Sequence, residues 1–79
     1  MRIDKYLKNS RLIKRRTVAK KACEQGKVLI NKKEAKPGDD VKVGDVLEIK
    51  LGTSPVKVEV LNIKDNVPKN KAEELYKYL

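Results

Sequence analysis

Apolar residues in this chain follow a helical period first and a strand period afterwards. Ile3, Tyr6 and Leu7 stand at i, i+3 and i+4, which predicts a short helix over the opening MRIDKYLK. Asn9, Ser10 and Arg11 interrupt that pattern, and Leu12-Ile13 belong to a connection. Val18, Ala19, Ala22 and Cys23 then share one side of a second helix, predicted over Arg15 to Gln25 and closed by Gly26. From Lys27 onward the residues are β-branched or alternate. The pattern predicts a strand at Lys27–Ile30, a turn at Asn31-Lys32, a short return at Glu34-Ala35, and strands at Val46–Leu51 and Val56–Val60. Leu61-Asn62-Ile63 is expected to extend the last of these. Pro37-Gly38, Gly44-Asp45 and Gly52–Pro55 mark turns between them. After Pro68, Asn70 with Glu73 three residues on reads as a capping box for a tail helix over Ala72–Leu79. The expectation is one small α+β domain: two packed helices against a small twisted antiparallel sheet, then a short C-terminal helix. Residues 1–65 form its body and 66–79 its tail.

Charge alters this picture. Residues 1–36 hold 13 Lys and Arg against three Asp and Glu, a balance of +10, whereas residues 37–79 hold seven against eight. The whole net charge of +9 therefore belongs to the first half, most densely to Ser10–Gly26. Such asymmetry points to a polyanionic partner. Because the second helix is amphipathic, its cations stand on a folded surface, with Arg16 and Lys20 one turn apart. The candidate contact residues are Arg2, Lys5, Lys8, Arg11, Lys14, Arg15, Arg16, Lys20, Lys21 and Lys32, together with Asp4. Asp4 has two readings: a first-turn carboxylate favoured by the positive end of its helix, or a group that holds a neighbouring Arg for phosphate contact. Taken on residues alone, two short helices with a basic second one also suit a helix-turn-helix on DNA. The exposed positions are nearly all Lys and Arg, however, and lack the mixture that base-edge readout uses. Shape recognition of folded RNA suits them better.

Other chemistry is sparse. The chain has no His and one Cys, so an internal disulfide and a Cys–His mechanism are excluded, and no cofactor or metal is expected. Cys23 reads as a small core residue. Without Trp or Phe, Tyr6, Tyr76 and Tyr78 are the only rings. No apolar run has the length of a membrane span, and the expectation is a soluble cytoplasmic protein with no enzymatic activity.

The string Arg2-Ile3-Asp4 with Leu7, Arg16 with Ala19, Gly26-Lys27-Val28 with Ile30-Asn31, Lys36-Pro37, Val41 and Gly44-Asp45 resembles the S4 RNA-binding domain family over about residues 1–51. The short length and the tail after the strand at Val56–Val60 are similar to one branch, the stand-alone bacterial S4 proteins of ribosome-associated quality control (the RqcP type), with their heat-shock S4 relatives. By that resemblance Arg2, Asp4 and Arg16 match RNA-contacting positions. It implies a non-catalytic factor that binds obstructed large ribosomal subunits at ribosomal RNA and peptidyl-tRNA, and supports alanine tailing driven by the partner RqcH. It is expected to be a monomer off the ribosome. The alternatives are a heat-shock-type factor that recycles obstructed subunits without tailing, or a general structured-RNA-binding module. Two positions depart from the family pattern: Arg15 stands where a capping Ser is common, and Lys32 where the turn often has Gly.

Overall fold

Seven short elements and a 3₁₀ turn build the domain in a computed structural model, which describes residues 1–65 and 67–79. They are α1 (Ile3–Asn9), α2 (Arg16–Glu24), β1 (Val28–Ile30), β2 (Lys33–Glu34), β3 (Val46–Ile49), β4 (Val56–Val60), a 3₁₀ helix (Lys69–Leu75) and β5 (Tyr76–Tyr78). The strands form one antiparallel sheet in the order β2-β1-β3-β4-β5. The α+β class expected from the sequence is what the chain adopts.

Ile3, Tyr6 and Leu7 of α1 are fully buried, and Ala19, Ala22 and Cys23 of α2 join them over Val28, Leu47, Ile49, Val58 and Val60 of the sheet. Small side chains let the two helices approach closely, so only a narrow stripe of α2 is covered. Val18 falls outside that stripe and is 44% exposed, contrary to its expected place in the core. The helix ends at Gly26, whose φ of 72° lets the Gly26 and Lys27 amides bond to the carbonyls of Cys23 and Ala22, the two bonds of a Schellman motif.

The N-terminus of α1 has no side-chain cap. Its free amides are met from a distance: Ile3 N–H donates to the Asp39 carbonyl at 2.7 Å and Asp4 N–H to that of Pro37 at 3.4 Å. The Lys36–Asp39 turn is itself closed by the Asp39 carboxylate, which accepts from Lys36 N–H at 2.9 Å. Pro-Gly-Asp chemistry thus builds the loop that caps the first helix.

Three expectations for the second half need correction. Strand β3 stops at Ile49, short of Leu51. Leu61–Ile63 does not extend β4, because the amides of Leu61 and Asn62 both turn to the Leu75 carbonyl, at 2.8 and 3.2 Å. The tail is not a helix over Ala72–Leu79. The 3₁₀ helix starts after Pro68, with no side-chain cap from Asn70, and buries Ala72 and Leu75. Tyr76–Tyr78 then pairs with β4 in the register Val60↔Tyr76 and Val58↔Tyr78. The open edge of β4 supplies hydrogen-bond partners along three residues, and Tyr-Lys-Tyr has the alternation to use them. The tail's first residue, 66, lies outside the described residues.

Candidate nucleic-acid interface

Asp4 sits in the first turn of α1 with its side chain 3% exposed. One oxygen, Oδ1, accepts from Lys5 N–H at 2.7 Å, which satisfies one of the amides left free at a helix start. The same carboxylate takes Arg2 in a fork: Nε donates to Oδ1 at 3.2 Å and Nη2 to Oδ2 at 3.1 Å. Arg16, from the first turn of α2, brings Nη2 to 3.5 Å from Oδ1. A single inward-facing acid therefore gathers two arginines from two helices. The arginine side chains remain about half exposed, 52% and 48%, so each has N–H groups to offer solvent or an anion. Two fixed cations against one anion leave the cluster positive, and planar guanidinium groups suit phosphate oxygens. The helix-end carboxylate is also the group that positions the two arginines.

Two neighbours flank this arrangement. Gly38, on the same loop that caps α1, faces the Arg2 guanidinium, and a Cβ there would reach 3.9 Å from its Cζ. At the start of α2, Arg15 is the N-cap residue in extended conformation (φ −119°, ψ 135°) and makes no side-chain cap bond. The departure from Ser at this position leaves the positive end of α2 open beside Arg16, which adds to the local attraction for an anion. At the far end of α1, Arg11 takes a φ of 61°, the left-handed conformation that usually falls to Gly. Nothing in the periodicity signalled this.

The remaining sequence candidates divide. Lys8, Arg11, Lys14, Arg15, Lys20 and Lys21 are exposed on the helices and their connection. Lys20 lies one turn from Arg16 on α2 and extends its line of cations. Lys5 is half-buried and forms an ion pair with Asp65 at 2.8 Å, and the Lys5 ammonium beside it holds the Asp65 carboxyl below the usual range. Its charge is thus partly answered within the chain. Lys32 stands apart at the tip of the β1–β2 hairpin, where Asn31 and Lys32 both have positive φ, 50° and 72°, in a type I′ arrangement despite the missing Gly. Asn31 locks this hairpin to the next turn, donating to Asp45 Oδ1 at 3.1 Å and accepting from Val46 N–H at 3.0 Å.

Sequence reasoning did not find the pairing of Lys5 with Asp65, nor the Tyr6 hydroxyl, which donates to the Leu75 carbonyl at 2.6 Å. Both join residues more than fifty positions apart, and no local pattern reports them. Cys23 is buried, as expected for a core residue, and burial pushes its thiol up to about 11. A protonated thiol inside the core is a poor nucleophile and a poor metal ligand. Among the described residues no group of three or more Cys, Asp or Glu is placed to hold a metal ion. No helix among them is long and apolar enough to cross a membrane.

Comparison with known proteins places this geometry in context. Residues 1–47 match the S4 domain family. The chain is 54% identical over 76 residues to the RQC P-site tRNA stabilizing factor of Halalkalibacterium halodurans, across 96% of this chain and 86% of that one. It is 48% identical over 79 residues to the protein of the same name from Bacillus subtilis, across 100% of this chain and 92% of the relative. Among solved structures, the trimeric Heat Shock Protein 15 of Vibrio cholerae has the same fold, with a TM-score of 0.93 at 30% identity. That match covers the whole of this chain and 81% of the other.

Proposed function

This chain belongs to the S4 domain family, and from that premise we propose that it is a non-catalytic RNA-binding factor of ribosome-associated quality control that stabilises tRNA in the P site. Its work is done on obstructed large subunits, where it contacts ribosomal RNA and the peptidyl-tRNA and supports RqcH-driven alanine tailing. The reading rests on one observation above the others. Asp4 holds Arg2 and Arg16, from separate helices, in a single half-exposed pair of guanidinium groups. Arginines fixed this way lose little further freedom on meeting a phosphate backbone, so binding keeps more of the electrostatic gain. The names of the relatives at 54% and 48% identity support the tRNA-stabilising role.

The mechanism follows from charge. Lys and Arg on α1, α2 and their connection neutralise phosphates and release counterions, so affinity falls as salt rises. Phosphate contact sets position without reading sequence, which suits a factor that recognises a folded RNA surface. Stimulation of tailing is then a shift in population. By binding one tRNA position more tightly than others, the factor favours that position by no more than the difference in affinity.

The test is co-sedimentation of the protein with large subunits, with and without peptidyl-tRNA, across a range of salt. Selective, salt-sensitive retention on the obstructed subunits is expected, with Arg16→Ala losing more of it than Lys42→Ala. Equal retention on every ribosomal particle, or equal losses for the two variants, would leave only diffuse cationic attraction and refute the specific role. The close likeness to a heat-shock S4 structure favours a second reading, recycling without tailing. A reconstituted tailing reaction with RqcH separates the two: the first reading requires longer alanine tails when the protein is added.

A further inference from the structure

We propose that the cleft between Arg11, Leu12, Leu51, Val56, Tyr76 and Tyr78 binds one unpaired nucleobase of RNA, with the tyrosine rings as the stacking surface and Arg11 meeting the adjoining phosphate. The inference rests on the RNA-binding reading and adds a single-stranded element to it.

Strand β5 puts Tyr76 and Tyr78 on the same face of the sheet as Val60 and Val58, the face covered by the helices. At this outer strand the cover is incomplete. Tyr76 is half-buried, and Tyr78 is 67% exposed. Their rings meet edge to face, with centroids 5.3 Å apart at 86°, and their hydroxyls lie 3.5 Å from each other. Each ring restrains the other, so an aromatic surface is held ready before any ligand arrives. The cleft measures about 200 Å³, the scale of a single planar ring with part of its sugar, and far short of a protein helix.

Charge selects the ligand. The residues lining the cleft include one cation, Arg11, and no carboxylate. Arg11 is separated from the Lys14-Arg15-Arg16 run by Leu12 and Ile13 alone, so the cleft stands at one end of the chain's densest positive segment. Its backbone is fixed in the left-handed region, with its amide bonded to the Lys8 carbonyl at 3.1 Å. A neutral apolar ligand gains nothing from that guanidinium. A nucleotide, with a π-face and a phosphate a few ångströms apart, uses both. Stacking of a base on an aromatic side chain tolerates any base, so this contact adds affinity for unpaired RNA without reading its sequence.

The experiment compares a blunt RNA hairpin with the same hairpin carrying a short unpaired 3′ extension, by titration of the full chain at fixed salt. The extension is expected to tighten binding roughly tenfold, the scale of one base stacked on an aromatic ring. Tyr78→Phe is expected to keep that gain, and Tyr78→Leu, which covers a similar surface without a ring, to abolish it. Arg16→Ala is expected to weaken both RNAs alike and leave their ratio intact. A wild-type protein that binds both hairpins equally overturns the proposal while sparing the RNA-binding reading. So does a gain that survives Tyr78→Leu. Failure of the wild type to bind either RNA overturns both.

Discussion

Asp4→Asn separates two explanations of RNA affinity, because they predict opposite signs. The substitution removes one negative charge from the basic half of the chain and takes the net charge from +9 to +10. If affinity came only from total charge, the variant would bind RNA slightly more tightly. If it depends on how Arg2 and Arg16 are held, the variant binds more weakly. The structure allows an estimate. Asparagine retains one acceptor oxygen, enough for one of the two Arg2 bonds at 3.1 and 3.2 Å. Its amide nitrogen then replaces the second acceptor and faces a guanidinium N–H, donor against donor.

Both arginines are about half exposed and recover hydration when released. The full cost of breaking a buried pair therefore does not apply, and a stability loss of about 1–2 kcal/mol is expected. For binding, each freed arginine must be ordered again at about 0.5–1.5 kcal/mol. The added net charge offsets part of this. A net loss of about 1 kcal/mol, roughly fivefold in Kd, is expected at moderate salt. The assay is a titration against large subunits at several salt concentrations, with Glu73→Gln as a control. That control removes an equal charge from an exposed position in the tail and is expected to leave affinity unchanged or slightly higher. If Asp4→Asn binds as tightly as Glu73→Gln at every salt, the positioning argument is wrong.

Two further substitutions test the same structure. Lys32 holds a φ of 72° that Gly adopts freely, so Lys32→Gly should raise the unfolding free energy read from urea melts by about 0.5 kcal/mol after the greater unfolded freedom of Gly is deducted. It should also make the salt dependence of RNA binding shallower by about one counterion; an unchanged slope would remove Lys32 from the interface. Cys23 gives a pH signature: burial raises its thiol from 9.0 to about 11 in the folded chain. Above pH about 9 the unfolded chain loses this proton while the folded chain keeps it, so stability falls as pH rises toward about 11. Urea melts of Cys23→Ala should show a shallower decline over that window than the wild type, and an equal decline would refute the assignment.

The helical half was legible from side-chain spacing because its contacts are local. Ile3, Tyr6 and Leu7 are where their period places them, and Gly26 ends α2 as a Gly after the last apolar turn should. Arg2, Asp4 and Arg16 were singled out by likeness to a family, but only the fold supplies the reason they act together. The carboxylate meets both guanidinium groups because the first turns of α1 and α2 come together in the fold. Val18 misled because periodicity gives the direction of a face and not its width. The tail misled for another reason. Leu75, Tyr76 and Leu79 have helical spacing, yet the unfilled edge of β4 outweighed that weak local preference. Arg11 at positive φ, and Lys5 answered by Asp65, depend on partners that no neighbouring residue announces.

The Leu75 carbonyl accepts from the Tyr6 hydroxyl and from the amides of Leu61 and Asn62, and this has a consequence for the order in which the chain assembles. The α1–α2 pair and the β1–β2 and β3–β4 hairpins are made of contacts near in sequence, which close quickly. The bond between Tyr6 and Leu75 spans 69 positions and can form only once the last part of the chain is in place. The cationic helices, of seven and nine residues, are too short to hold by themselves, so their surface is complete only when this distant segment docks beneath them. Residues 69–78 thus act as a clasp: one carbonyl and one short strand tie the first helix to the outer edge of the sheet.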